Sequence, residues 1–367
     1  NIDMTVKDVI DFLNDYAPLE YAEDFDNAGL IVGDKNNKVS GILICHDSIP
    51  EVIDEAINLG YNLIISFHPI LFKGIKKLIP NNYVNRSIIK AVKNDISIFS
   101  THTALDNSKF GVNMQLCKEI GIIETKILFP KKDTIKKLTT FIPSESTQKL
   151  KDEIFKTGAG SIGKYENCSF SFKGVGTFKG NKESKPTIGK KLQNNDQNES
   201  CVNITFLKHL EEKVLTALKN THPYEEIAYE IKILENYNEN IGMGMYGEFK
   251  KPMSEKEFLS FLKNKLNVKF VKHSKLLGKQ VKKIAVLGGS GSFGIAKAIE
   301  VGADIFITSD LKYHDYYKAE KSLLLVDVGH YESEQFTNKL MYDILTKKFP
   351  NFAIALTKIN TNPVNYS

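Results

Sequence analysis

The chain has 367 residues, 42% of them apolar, and a formal charge of +5. That length can build two or three domains with well-buried cores, and the composition excludes a disordered chain. The small charge sits on scattered lysines rather than on one basic stripe with interleaved aromatics, which argues against nucleic acid as the main partner.

In chain order, Thr5 N-caps a predicted helix that runs to about Tyr16. GLIVG, the strand GILIC, the helix PEVIDEAINLG and the strand NLIIS follow. A helix through VNRSIIKAVKN, the strand DISIFS and a helix through GVNMQLCKEIG complete the first α/β lobe, residues 1–129. Strands alternating with helices predict a mostly parallel sheet covered on both faces, with functional groups at the strand C-termini. Residues 130–238 change character and read as one inserted α+β domain. Its amphipathic strands and the helix STQKLKDEIFKTG are followed by the polar stretch NKESKPTIGKKLQNNDQNES, expected as a loop. CVNITFL, HLEEKVLTALKN and IAYEIKIL close the domain. Residues 239–367 return to α/β alternation through KKIAVLGG, DIFITSD, SLLLVDVG, one long helix YESEQFTNKLMYDILTKKF and NFAIALT. The expectation is therefore an α/β fold of two lobes interrupted by an insertion.

Four cysteines, Cys45, Cys117, Cys168 and Cys201, form no C-x-x-C pair, which points away from a zinc ribbon and toward a reducing compartment. No apolar run approaches the roughly 20 residues needed to span a bilayer, and NIDMTVKD lacks a basic region followed by an apolar one. A soluble, cytoplasmic protein without a membrane partner is expected.

Three predicted strands end in an imidazole. His68 follows LIIS in SFHPILF, His102 follows SIFS in THTALD with Asp106 four positions on, and His330 follows LLLVDVG with Glu334 four positions on. A spacing of four puts both side chains on one helical face, where they can share an ion. A mixed nitrogen and oxygen set without thiolate suits zinc, manganese or iron(II), and a bridging carboxylate lets it hold two ions. Singly, each motif reads equally well as packing or as a helix N-terminal pair; the coincidence of three carries the metal reading.

GGSGSFG fits G-x-G-x-x-G through Gly289, Gly291 and Gly294, with Asp310 about twenty residues on. A dinucleotide fingerprint belongs at a sheet's first strand, so a loop that lines the site or holds a phosphate on its N–H groups is the preferred reading. His222, Glu225 and Glu226 in HPYEE read as a turn, with a cap over the metal site as the alternative.

FDNAGLIVG, SFHPILF, STHTALD, GGSGS and VGHYESE resemble, in that order, the motifs of the dinuclear-metal family of GTP cyclohydrolase 1 type 2 homologues, also called NGG-one-interacting factor three-like proteins. The middle unit, with GVGTF and HPYEEIAYEI, resembles the PII- or CutA-like insertion of longer members. The resemblance implies a toroidal homohexamer, a trimer of dimers, with one or two zinc, iron or manganese ions per chain. It implies His68, His102, Asp106, His330 and Glu334 as ligands and Glu334 as the bridge. It also implies a metal-dependent hydrolase acting on a nucleotide or other small phosphorylated substrate, with Glu334, His102 and His330 in the catalytic machinery. The alternative is a non-catalytic metal-binding, metal-delivery or ligand-sensing hexamer. This chain departs from the family motif at Phe67, where the first of two adjacent histidines usually stands, and at Phe25, which replaces a tryptophan. Phenylalanine cannot ligate. His46 in ICHDSIP follows the strand one unit earlier and could supply the missing donor if the two strands are neighbours; otherwise water would fill the position.

Overall fold

The computed structural model describes residues 4–365. Residues up to Pro130 together with those from Glu239 onward form one compact unit, and Lys131–Asn238 form another. The first unit holds two sheets and the second holds one.

The N-terminal helix Val6–Tyr16 begins where Thr5 and Asp8 cap each other's backbone, as the sequence pattern requires. Strands β1 (Gly29–Val32), β2 (Ile42–Cys45), β3 (Leu63–Ser66) and β4 (Ser97–Ser100) follow. With the last strand of the chain, Ile354–Leu356, they form a five-stranded sheet. β2, β3 and β4 run parallel in the register Cys45, Ser66, Ser100, and β1 is an antiparallel edge. Alternate residues bury on opposite faces. Ile42, Ile44, Leu63, Ile65 and Phe67 pack against Val6, Val9, Leu340 and Met341, whereas Leu43, Cys45, Ile64 and Ile98 pack against Val52, Ile53, Ile88 and Ala91. Each fully buried aliphatic side chain contributes about 1.5–3 kcal/mol, so both layers fix the strand ends firmly.

The second sheet of this unit uses β5 (Ile123–Lys131), and its other members come from beyond the inserted unit. The inserted unit contains β6 (Ile135–Pro143), β7 (Phe170–Phe178), β8 (Asn195–Leu207) and β9 (Tyr229–Leu234) in the antiparallel order β7-β8-β6-β9. Helices Thr147–Phe155 and Glu211–Thr221 cover one face through Leu150, Ile154, Val214 and Leu218. The polar stretch expected as a loop is corrected only at its end, where Asn195–Ser200 belong to β8 and pair with β7 from Phe178↔Asn195 onward. Their polarity fits a solvent-facing ribbon rather than a loop.

After the insertion come β10 (Asn238–Ser254), β11 (Lys272–His273), β12 (Gln280–Ser290), β13 (Ile305–Ser309) and β14 (Leu324–Asp327). The sheet order is β11-β14-β13-β12-β10-β5, with β12, β13 and β14 parallel. The expected single long helix divides in two: His330–Glu334 is a separate turn and Thr337–Lys348 packs on the first sheet. Among the described residues no helix is long and apolar enough to cross a membrane.

Candidate metal centre

Beyond their last residues, the parallel strands keep their pairing. Phe67 N–H donates to Cys45 O at 3.1 Å, His68 N–H to His46 O at 2.9 Å and His102 N–H to Phe67 O at 2.9 Å. This register sets His46 beside Phe67, and Asp47 beside His68. In the second sheet the corresponding ends deliver Gly289 on β12, Asp310 after β13 and His330 after β14. His68, His102, Asp106, His330 and Glu334 all line one cavity of about 810 Å³ at these C-terminal ends, the place where parallel sheets present ligands.

Glu334 is the centre of the cluster. Its Oε2 lies 3.2 Å from His46 Nε2, 3.3 Å from His68 Nε2 and 3.3 Å from His330 Nε2. Three imidazoles are gripped from behind by carboxylates: His68 Nδ1 by Asp47 at 2.8 Å, His102 Nδ1 by Asp26 at 2.7 Å and His330 Nδ1 by Asp310 at 2.6 Å. A carboxylate at Nδ1 takes that N–H and leaves the Nε2 lone pair free for an ion, which is the usual support of metal-binding histidines. His102 holds a positive φ of 24°, a strained backbone of the kind that gathers at functional sites.

The electrostatics call for cations. Burial works against charge on His68 and His330, yet hydrogen bonds to Asp47, Glu334 and Asp310 push them up to about 10 and about 9. Burial alone would raise Glu334, but bonds from His330, His46 and His68 hold it well below the usual carboxylate range. Asp106 moves the other way: burial, then the Glu334 charge, push its carboxyl well above the ordinary value. Its Oδ1 is buried without a hydrogen-bond partner. Without metal the cluster holds protons where an ion can sit.

The donor spacing fits such an ion. Tetrahedral coordination with bonds of about 2.0–2.1 Å puts neighbouring donors about 3.3 Å apart, close to the separations around Glu334. His68, His330 and Glu334 form one group with ligand atoms within 4.8 Å of one another, and His46, Asp47 and His68 form another. These residues can therefore hold a metal.

Sequence reasoning missed Asp26 and Asp47 as supports of His102 and His68, and it read Asp310 only against a dinucleotide fingerprint. The available signal was position, since Asp47 and Asp310 each stand just past a strand. The glycine-rich loop lines the cavity, but its N–H groups are engaged: Gly288 N–H donates to Asn113 Oδ1 and Gly289 N–H to Ser333 Oγ, both at 2.9 Å. The phosphate-holding reading of those two groups is thus corrected. Gly289 has φ +72°, and a Cβ there would stand 2.4 Å from Glu334 Oε1, so the loop is glycine to admit the carboxylate. In the inserted unit, His222 Nε2–H donates to Phe141 O at 2.9 Å and Glu225 accepts from Lys185 N–H at 2.7 Å. Both side chains hold a turn inside that unit.

The sequence pattern described as Duf34/NIF3 (NGG1p interacting factor 3) matches residues 4–184 and 193–363. A GTP cyclohydrolase 1 type 2 homolog of Bacillus subtilis (strain 168) is 35% identical over 364 residues, 98% of this chain and 97% of that protein. One of the same name from Staphylococcus aureus (strain MSSA476) is 35% identical over 375 residues, covering 99% and 100%. Among solved structures, a Bacillus cereus protein related to NIF3 superposes with a TM-score of 0.86 at 32% identity over 100% of both chains. Staphylococcus aureus protein SA1388 does so with a TM-score of 0.78 at 29% identity over 99% of both.

Proposed function

The chain belongs to the Duf34/NIF3 family, and from that membership we propose that its cluster is a dinuclear divalent-metal centre serving a hydrolase. The ligands in this reading are His68, His102, Asp106, His330 and Glu334, with Glu334 as the bridge. The observation that carries it is the convergence of carboxylate-supported imidazoles on Glu334, beside the unpartnered Asp106 Oδ1, at the wall of a large cavity. Zinc, iron or manganese suits a nitrogen and oxygen donor set without thiolate. Bound there, such ions lower the pKa of water and stabilise negative charge developing on a substrate.

The chain's own residues then have distinct tasks. Asp26, Asp47 and Asp310 orient His102, His68 and His330 and fix their tautomers. His330, the most open of the three, and His102 are placed to move a proton at Nε2 when not engaged as ligands. Exposed Phe25, Phe72, Tyr83 and Phe293 line the cavity, while among the described residues no lysine or arginine does. Aromatic walls suit the flat face of a heterocyclic base. The charge of any phosphate must then be met by the metal ions.

Loading the metal-free protein with zinc, manganese or anaerobic iron(II) and assaying turnover of GTP and a panel of nucleotides tests this reading. Metal-dependent turnover abolished in Glu334→Gln is expected. Tight, reversible metal binding without turnover across the panel would leave the metal-delivery or ligand-sensing alternative.

Assembly as a homohexamer belongs to the same reading. It is supported by edge strand β7, which exposes Phe170, Phe172 and Val175 in the inserted unit and offers both apolar surface and unpaired backbone to another copy. Sedimentation of the wild type against Phe172→Asp checks it.

A further inference from the structure

We propose that His46 is a ligand of this metal centre through Nε2, supplied by the strand beside the one that carries Phe67. This rests on reading the cluster as a metal centre.

Register gives the first argument. Ile44↔Ile65 and Cys45↔Ser66 are paired, and Phe67 N–H donates to Cys45 O. Ile44, Ile65 and Phe67 belong to the same buried face. One residue past the strand ends, His46 and Phe67 are therefore lateral neighbours pointing the same way. A donor at 46 and a donor at 67 would reach into the same part of the cluster. Phe67 carries only carbon there, is fully buried, and packs against the rings of His46, His68 and His102 at 5.2, 5.0 and 5.7 Å. It is a wall of the site.

Position gives the second argument. His46 is 1% exposed, yet its Nε2 stands as close to Glu334 Oε2 as the Nε2 atoms of His68 and His330 do. The imidazole plane is fixed by edge contacts with His68 at 4.6 Å and Tyr331 at 5.2 Å.

His46 also lacks a support that its neighbours have. Its Nδ1 is buried with no hydrogen-bond partner among the described residues, whereas each of the other three has a carboxylate. Burying an imidazole with one unpaired nitrogen is costly, and an apolar side chain in the same place would avoid that cost. A metal bond at Nε2 supplies the missing compensation. His46 then differs from its neighbours in kind: it is held by packing rather than by an acid, so its basicity as a ligand is lower.

The test is metal binding by the full-length chain, stripped and titrated with Zn(II) and Co(II), in wild type, Glu334→Gln, His46→Leu and His46→Leu/Phe67→His. The expected result is that His46→Leu loses one ion per chain, or binds its weakest ion at least about 10-fold less tightly, with an altered Co(II) absorption band. The double variant is expected to recover both. Wild-type stoichiometry, affinity and Co(II) spectrum in His46→Leu would overturn the assignment while leaving the metal centre intact. Absence of Zn(II) and Co(II) binding in wild type would overturn the centre itself, and His46 with it. Anomalous diffraction from Zn(II)-loaded wild type reads the same point without a variant: zinc within about 2.0–2.3 Å of His46 Nε2 is expected, and zinc bound to Glu334 but beyond bonding distance of His46 would overturn the proposal.

Discussion

Glu334 Oε2 stands 3.2 Å from His46 Nε2 although 288 positions separate them in the chain. The contact joins the C-terminal ends of two different sheets, each of which combines strands from before and after the inserted unit. The acidic group comes from a single helical turn and meets imidazoles that arrive from strand ends. Glu334 is thus the group whose removal has the widest effect.

Replacing it with glutamine keeps the shape and removes the charge that faces His46, His68 and His330. If Glu334 bridges two ions as proposed, its loss is expected to weaken divalent-metal binding by at least about 100-fold, more than the 10–100-fold typical of outer-shell changes. Calorimetric titration of Glu334→Gln checks this, with circular dichroism to establish that the fold persists.

Asp310 touches no ion in this account; it holds His330 Nδ1 at 2.6 Å and accepts a hydrogen bond from Ser290 Oγ. Asp310→Asn is expected to cost about 10–100-fold in metal affinity or activity, with little change in melting temperature because its side chain is half exposed. Unchanged affinity would remove Asp310 from the supporting set.

Gly289 and Gly60 form a controlled pair. Both have a left-handed backbone, φ +72° and +69°, but a Cβ at 289 meets Glu334 Oε1 at 2.4 Å whereas one at 60 meets nothing within 4 Å. Each alanine variant is expected to lose roughly 1 kcal/mol from the backbone alone. Gly289→Ala should also lose metal affinity, and Gly60→Ala should keep it. Urea denaturation and metal titration of the two variants separate strain from displacement of the carboxylate.

In metal-free protein, His68 and His330 carry folded pKa values of about 10 and about 9, above the ordinary 6.5. A raised folded pKa means stability that is fully present below about pH 6.5 and lost as pH rises through 9 and 10. The urea midpoint of EDTA-treated protein is therefore expected to fall between pH 6.5 and 10. Metal binding displaces the same protons, so affinity should rise over the same range. Midpoints and titrations at three pH values check both signs.

Much of this architecture was legible in the sequence because apolar strands of four or five residues alternate with amphipathic helices, and His68, His102 and His330 each sit just past such a strand. The supporting acids were not legible. A short acidic residue beside a strand looks like any turn or cap residue, and only the pairing of β1 with β4, β2 with β3 and β13 with β14 shows that Asp26, Asp47 and Asp310 each meet an imidazole. The same holds for His46, whose relation to Phe67 depends on β2 and β3 being neighbours. The long C-terminal helix was misread because YESEQF and TNKLMYDILTKKF share one helical period, while the chain breaks between them to place His330 and Glu334. The polar half of β8 was misread because its solvent-facing ribbon lacks the apolar alternation that marks a strand.

Whether Glu334 organises a metal centre at these strand ends is measured most directly by anomalous diffraction from crystals of the full chain loaded with Zn(II) or Mn(II). Two peaks sharing the Glu334 carboxylate, with His68, His102, Asp106 and His330 among their ligands, are the predicted result. A cavity without an anomalous peak, in protein that also shows no bound metal by elemental analysis, would contradict it.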